Sequence, residues 1–105
     1  MDPRIERLEA VIKARKGADP SSSYVASLFA KGTAKIAQKV GEEATETIIA
    51  ALHEGPEKLT SEAADLLFHL SILLADAGLG MDDVLSELER REGVSGIEEK
   101  ASRKG

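Results

Sequence analysis

Two short acidic runs hold the residues best placed to do chemistry. Glu43 and Glu46 stand three residues apart in GEEATE (41–46), and Glu62 and Asp65 stand three apart in SEAAD (61–65). On a helix that spacing separates two side chains by about 60° around the axis, so each pair can aim at one point. Glu43 with Asp65, and Glu46 with Glu62, are pairs centred on the same residue, 54, inside the helix-breaking run HEGP (53–56). An antiparallel hairpin folded there brings Glu43 level with Asp65 and Glu46 level with Glu62, so that four carboxylates converge.

Four like charges repel, and a buried carboxylate without a partner is expensive, so the arrangement requires a cation. An all-oxygen ligand set with no cysteine anywhere in the chain suits a hard divalent ion, Mg2+ or Mn2+, rather than zinc. Mg2+ commonly bridges to substrate phosphates, so the reading is metal-dependent chemistry on a phosphorylated substrate. The competing account, solvated helix faces, explains Glu43 and Glu46 taken alone. It explains Asp65 less well, because that residue is flanked by Ala63, Ala64, Leu66, Leu67 and Phe68. Glu42 points about 100° away from Glu43 and about 40° from Glu46; outer ligand, base acting on water and surface residue all remain open for it.

Lys31, Lys35 and Lys39 step by four toward Glu43. If the helix holds through this region, they place positive charge beside the metal for a polyphosphate chain. The plainer alternative is a solvated face with Lys39 paired to Glu43. Ser21, Ser22, Ser23 and Tyr24 could donate hydrogen bonds to phosphate, though a serine-rich loop needs no function. His69, one turn after Asp65, is either a hydrogen-bonding support for that carboxylate or a satisfied core histidine, and His53 reads as a helix-end residue.

The elements that must position these residues read as helices. Asp2-Pro3 is a cap and first-turn pair, and Ile5, Leu8, Val11 and Ile12 form an apolar stripe, giving a helix over 3–15 that Gly17 ends. GADPSSS is a loop, and a short helix follows from Tyr24 to Ala30. Thr33 is a candidate N-cap for a long helix to about Leu52, and Thr60 or Ser61 for the next, which runs to Ala77 and reads as apolar almost all round. A last helix spans about Asp82 to Arg91, and from about residue 93 the chain turns into a polar tail expected to be mobile. The class is all-α, an antiparallel helical bundle in a single domain over residues 1–105.

Composition narrows the rest. With 105 residues, burying a core fully favours a tight bundle or an oligomer. A net charge of −5 argues against a nucleic-acid polymer as partner, and three aromatic residues provide no stacking platform for bases. The charged N-terminus lacks the pattern of a secretory signal, and the run Leu66 to Ala75 is about half of the ~20 residues that cross a bilayer. The expectation is a soluble cytoplasmic protein with no membrane partner.

SYVASLFAKGTAKIAQKVGEEATE followed by SEAADLLFHLSILLADAG resembles the phosphoribosyl-ATP pyrophosphohydrolases of histidine biosynthesis, over roughly residues 5–92, and SGIEEKASR adds weakly to the likeness. The resemblance implies the all-α, MazG-like nucleoside-triphosphate pyrophosphatase fold, whose E-x-x-E and E-x-x-D acids bind magnesium. Carried over, Glu43, Glu46, Glu62 and Asp65 are the metal ligands and Glu42 an accessory acid, with Glu42 or Glu46 acting on the attacking water and Lys31, Lys35, Lys39, Ser23 and Tyr24 as substrate-binding candidates. It further implies Mg2+-dependent hydrolysis of phosphoribosyl-ATP to phosphoribosyl-AMP and pyrophosphate by a homodimer. The expected form is a stand-alone one, since the chain is short for the cyclohydrolase domain often fused to this activity and has no cysteine for its zinc. Phe68, where tyrosine is common, is a mild departure. Two rivals stand beside this reading: a pyrophosphohydrolase of other nucleoside triphosphates, and a non-enzymatic helical dimerisation module.

Overall fold

A computed structural model describes residues 1–93, and these form five helices with no strand among them: α1 (Pro3–Arg15), α2 (Tyr24–Lys31), α3 (Thr33–His53), α4 (Pro56–Asp76) and α5 (Met81–Arg90). The expectation for the polar tail concerns residues 94–105, outside the described residues. Asp2 caps α1 as its sequence suggests, its carboxylate accepting from the Arg4 amide at 2.9 Å with Pro3 in the first turn.

α3 and α4 are joined at Glu54–Gly55 and pack along one another as an antiparallel hairpin. Gly55 has φ 87°, a conformation that favours glycine, and it sends the chain straight into Pro56 at the start of α4. Helix α4 thus begins a turn earlier than Thr60 or Ser61 would have it. The Thr60 hydroxyl, freed from capping, donates to the Pro56 carbonyl at 2.8 Å. Thr33 is likewise not a cap: Gly32 holds that position with φ 97°, and the Thr33 hydroxyl donates instead to Asp76 at the far end of α4. Both corrections have the same origin, a glycine with positive φ that begins the helix by backbone geometry where no side chain is needed.

α1 and α2 cover one side of the hairpin. Ile12, Leu28, Ile36 and Ile72 are fully buried where these four helices meet, with Leu8, Phe29, Phe68 and Leu73 packed around them. Among the described residues, nothing covers the other side of the hairpin. Ala63, Ala64 and Leu67 on α4 are exposed, so the helix that reads as apolar all round is enclosed on one flank only. On α3, Ile48, Ile49 and Leu52 stand 60%, 46% and 71% exposed.

α5 leaves α4 at 97°. Its first turn is tied to α1 by Glu9, whose Oε2 accepts from the Met81 amide at 2.7 Å, while Asp83 accepts from the Gly80 amide at 2.8 Å. Among the described residues, no single helix is long and apolar enough to cross a membrane.

Candidate metal and active site

The hairpin brings three of the sequence-predicted acids together. One carboxylate oxygen from each of Glu43, Glu62 and Asp65 lies within 4.8 Å of the other two. Glu43 and Glu62 are each only 7% exposed, whereas Asp65 faces solvent. The two buried acids are held in the same way. Lys39 Nζ lies 3.7 Å from Oε1 of Glu43, and Lys58 Nζ lies 3.2 Å from Oε1 of Glu62. In both, Oε2 is buried with no hydrogen-bond partner among the described residues. A buried carboxylate oxygen left without a donor is unfavourable by itself, and two of them beside a third carboxylate fit a hard, oxygen-seeking divalent cation.

Glu46 sits one turn after Glu43 and is not one of the three clustered acids. It is exposed and lines a cavity of about 210 Å3 with Ile49, Glu54, Lys58 and Glu62. The level pairing of Glu46 with Glu62 therefore appears as two acids on one cavity wall, adjacent to the cluster through Glu62.

Lys58 escaped the sequence reading. Its signal was the four-residue step to Glu62, the same step that links Lys39 to Glu43. The Lys58 ammonium is held above its ordinary pKa by its hydrogen bond to Glu62, then by the charges of Glu62, Glu54 and Glu46. Lys39 is raised chiefly by its hydrogen bond to Glu42, at 3.1 Å. Glu42 is exposed, and both its oxygens are engaged: Gln38 Nε2 donates to one at 2.7 Å and Lys39 to the other. These bonds, Gln38 first, hold its carboxyl below the ordinary glutamate value.

The lysine stripe is not one continuous helical row. Lys31 is the last residue of α2, and Gly32 breaks the helix before Lys35 and Lys39, which lie on α3. Lys35 is half-buried and its charge reaches Glu42; Lys31 is exposed.

Ser21 and Ser22 hydrogen-bond to Asp19 in the loop, and Ser23 is the N-cap of α2, its Oγ accepting from the Ala26 amide at 3.0 Å. His53 ends α3 exposed to solvent, and Glu54 takes the C-cap position. His69 is buried and satisfied at both nitrogens: Nδ1 meets the backbone carbonyl of Asp65 at 2.7 Å, and Nε2 meets the Tyr24 hydroxyl at 2.8 Å. It supports the main chain of Asp65, not the carboxylate. Burial raises the Tyr24 phenol above its ordinary pKa; Lys39 lowers it, and Glu43, Glu42 and Asp65 raise it further. Tyr24 thus belongs to the same charged neighbourhood as the acids.

The whole of this region falls within residues 5–92, which match the family model described as phosphoribosyl-ATP pyrophosphohydrolase. A phosphoribosyl-ATP pyrophosphatase of Rhizorhabdus wittichii is 61% identical over 103 residues, spanning 98% of this chain and 97% of the relative. Proteins of the same name from Erythrobacter litoralis and Zymomonas mobilis are each 62% identical, over 94% and 91% of this chain and 95% and 90% of the relative. With matches of this extent, the chain belongs to the phosphoribosyl-ATP pyrophosphohydrolase family.

Proposed function

We propose that this protein hydrolyses phosphoribosyl-ATP to phosphoribosyl-AMP and pyrophosphate, the second step of histidine biosynthesis, as a Mg2+-dependent cytoplasmic homodimer of MazG-like fold. Its family supports the substrate. The observation that carries the chemistry is the pair of buried, unpartnered Oε2 atoms of Glu43 and Glu62 beside Asp65.

Glu43, Glu62 and Asp65 would hold Mg2+, with Glu46, on the cavity that Glu62 also lines, a further acid to join them. When bound, the ion supplies charge neutralisation for the triphosphate and for the departing pyrophosphate. Lys39 and Lys58 grip the outer oxygens of the two buried acids, which fixes the direction of their inner oxygens. Lys31 and Lys35 add positive charge for the outer phosphates. In the reaction a water oxygen bonds to phosphorus, the α–β phosphoanhydride bridge breaks, and one proton leaves the water. Glu46 would take it, and its exposure on the cavity that Glu62 also lines supports this role. Glu42 is a weaker proton acceptor because Gln38 and Lys39 occupy both its oxygens, and its role is to hold Lys39 in place.

Two observations support the homodimer. The radius of gyration is 15.9 Å, against about 13 Å for a compact domain of this length. Ile48, Ile49, Leu52 and Leu67 also leave an apolar surface on the uncovered side of the hairpin. A second copy packed there completes the bundle.

The test is pyrophosphate release from phosphoribosyl-ATP and from a panel of nucleoside triphosphates, with and without Mg2+. Magnesium-dependent turnover of phosphoribosyl-ATP in preference to the panel is expected. Turnover of the panel alone would reassign the substrate, and no magnesium-dependent turnover would refute the enzymatic reading.

A further inference from the structure

The sequence offers Tyr24 as a donor to phosphate, but its hydroxyl already meets Nε2 of His69 at 2.8 Å, and the neutral ring's tautomer decides which of the two donates. His69 Nδ1 lies 2.7 Å from the Asp65 carbonyl oxygen, which can only accept, so Nδ1 carries the ring proton. In the neutral imidazole Nε2 is then an acceptor, and the Tyr24 hydroxyl, 2.8 Å away, must donate to it. The rings of Tyr24 and Phe68 meet that of His69 edge to face, with centroids 5.7 and 5.3 Å away, which holds the imidazole in this orientation. With its proton committed, the phenolic oxygen has only lone pairs to offer. The residue is 49% exposed, within electrostatic reach of Lys39 and the acids.

An oxygen that can only accept does not bind phosphate oxygens or carboxylates, which are acceptors too. Its partner must be a donor. The Lys39 ammonium is already engaged by Glu42 and Glu43. Tyr24 is two hydrogen bonds from Asp65, one of the acids proposed to anchor the triphosphate through its cation. The donors nearest to a triphosphate chain are the hydroxyls of the ribose that bears it.

We propose that Tyr24 is a specificity-determining hydrogen-bond acceptor for a hydroxyl of the ribose carrying the triphosphate, and that His69 is the positioning residue that fixes Tyr24 in this role. The assignment rests on the reading of the site as a nucleotide pyrophosphohydrolase. It makes the protein discriminate against deoxynucleotides, because a site that pairs a substrate hydroxyl is left with an unpaired group when that hydroxyl is missing.

Two measurements on the intact protein test it. Imidazole 15N NMR should show His69 protonated at Nδ1 and not at Nε2; the chain has only two histidines, so His53→Gln assigns the signals. A proton on Nε2 overturns the proposal. Calorimetric binding of AMP, 2′-deoxy-AMP and 3′-deoxy-AMP with Mg2+ should show one deoxynucleotide binding about tenfold more weakly than AMP, the discrimination expected of one hydrogen bond of about 1.4 kcal/mol. Tyr24→Phe should remove that gap. His69→Phe should remove it as well, and His69→Gln, which restores an acceptor for the phenol, should recover part of it. Equal affinities in the wild type, no measurable AMP binding, a gap that survives in Tyr24→Phe or His69→Phe, or a Tyr24→Phe variant altered only in melting temperature each overturn the assignment. These monophosphates cannot release pyrophosphate, so the binding result is independent of turnover. Failure of phosphoribosyl-ATP hydrolysis would strike the proposed activity instead.

Discussion

Replacing Glu62 by glutamine should make the metal-free protein more stable while abolishing its response to magnesium. Without a cation, Glu62 shares a 4.8 Å neighbourhood with the carboxylate oxygens of Glu43 and Asp65. At an effective dielectric of about 20, two unit charges at that separation repel by ~3.5 kcal/mol. The substitution removes two such repulsions and keeps the side-chain shape. It weakens one pair with Lys58, a small loss because that ammonium is half exposed and screened by solvent. It also gives the orphaned Oε2 of Glu43 an amide donor within reach. Side-chain adjustment in the wild type relieves much of the repulsion, so a net gain of about 1–2 kcal/mol is expected, a rise in Tm of roughly 4–16 °C. With magnesium the order reverses. A ligand at a hundred times its Kd stabilises the wild type by about 2.7 kcal/mol, and the variant should lose most of this together with its catalytic activity. Scanning calorimetry of both proteins, with and without Mg2+ at constant ionic strength and fixed protomer concentration, decides the matter. A variant less stable than wild type in the absence of divalent cation, or one whose Tm rises with Mg2+ as much as the wild type's, would refute the three-acid site.

Further expectations concern the surroundings of the site. Glu42 is lowered by Gln38 and Lys39, so its stabilising contribution is present above the ordinary glutamate pKa and is lost as pH falls through the lowered folded-state value; Gln38→Ala should move the Glu42 midpoint, followed by NMR, upward toward that ordinary value, and an unmoved midpoint would contradict the cause assigned. Glu9→Ala removes the carboxylate that receives the Met81 amide and should weaken the start of α5 by about 1 kcal/mol, seen as faster exchange of that amide with the core of the other helices unaffected. Gly80→Ala places a Cβ 3.0 Å from Glu9 Oε2 and should act in the same direction, the double variant being little worse than Glu9→Ala alone; full additivity would show that the two do not act through one contact. Leu52→Glu, at a position 71% exposed in the single chain, should lower the solution mass of the proposed homodimer to that of a monomer by light scattering; a wild-type mass that is already monomeric, or a dimeric mass that the substitution leaves unchanged, would refute the interface proposed on this face.

The helices were legible where the signal lies within a few residues. Asp2-Pro3 and Gly17 bracket α1, and HEGP marks the turn that faces the acids of α3 toward those of α4. What escaped the sequence depends on distant partners. Thr33 looks like a cap because the Asp76 carboxylate that takes its hydroxyl is forty-three positions away. The hydroxyl of Tyr24 likewise has its hydrogen-bond partner, His69, on another helix forty-five positions away. The offset of Glu46 from the three clustered acids is a matter of one helical turn in the packing of α3 on α4, which residue spacing alone does not resolve. The exposed stripe of Ile48 and Leu52 has an apolar pattern like that of the core, and spacing does not tell whether an apolar face meets its own chain or another.

Because the glycine at position 55, with its positive φ, fixes where α4 begins relative to α3, the stretch from Glu43 to Asp65 behaves as a ruler. One residue inserted into either helical arm would rotate the acids beyond it by about 100° and slide them about 1.5 Å along the axis, turning a converging set into a dispersed one. An insertion in the loop between Arg15 and Tyr24 leaves both arms in register. Length variation in descendants of this sequence should therefore collect in that loop and be purged between the two acid pairs, however freely the individual surface residues there are exchanged.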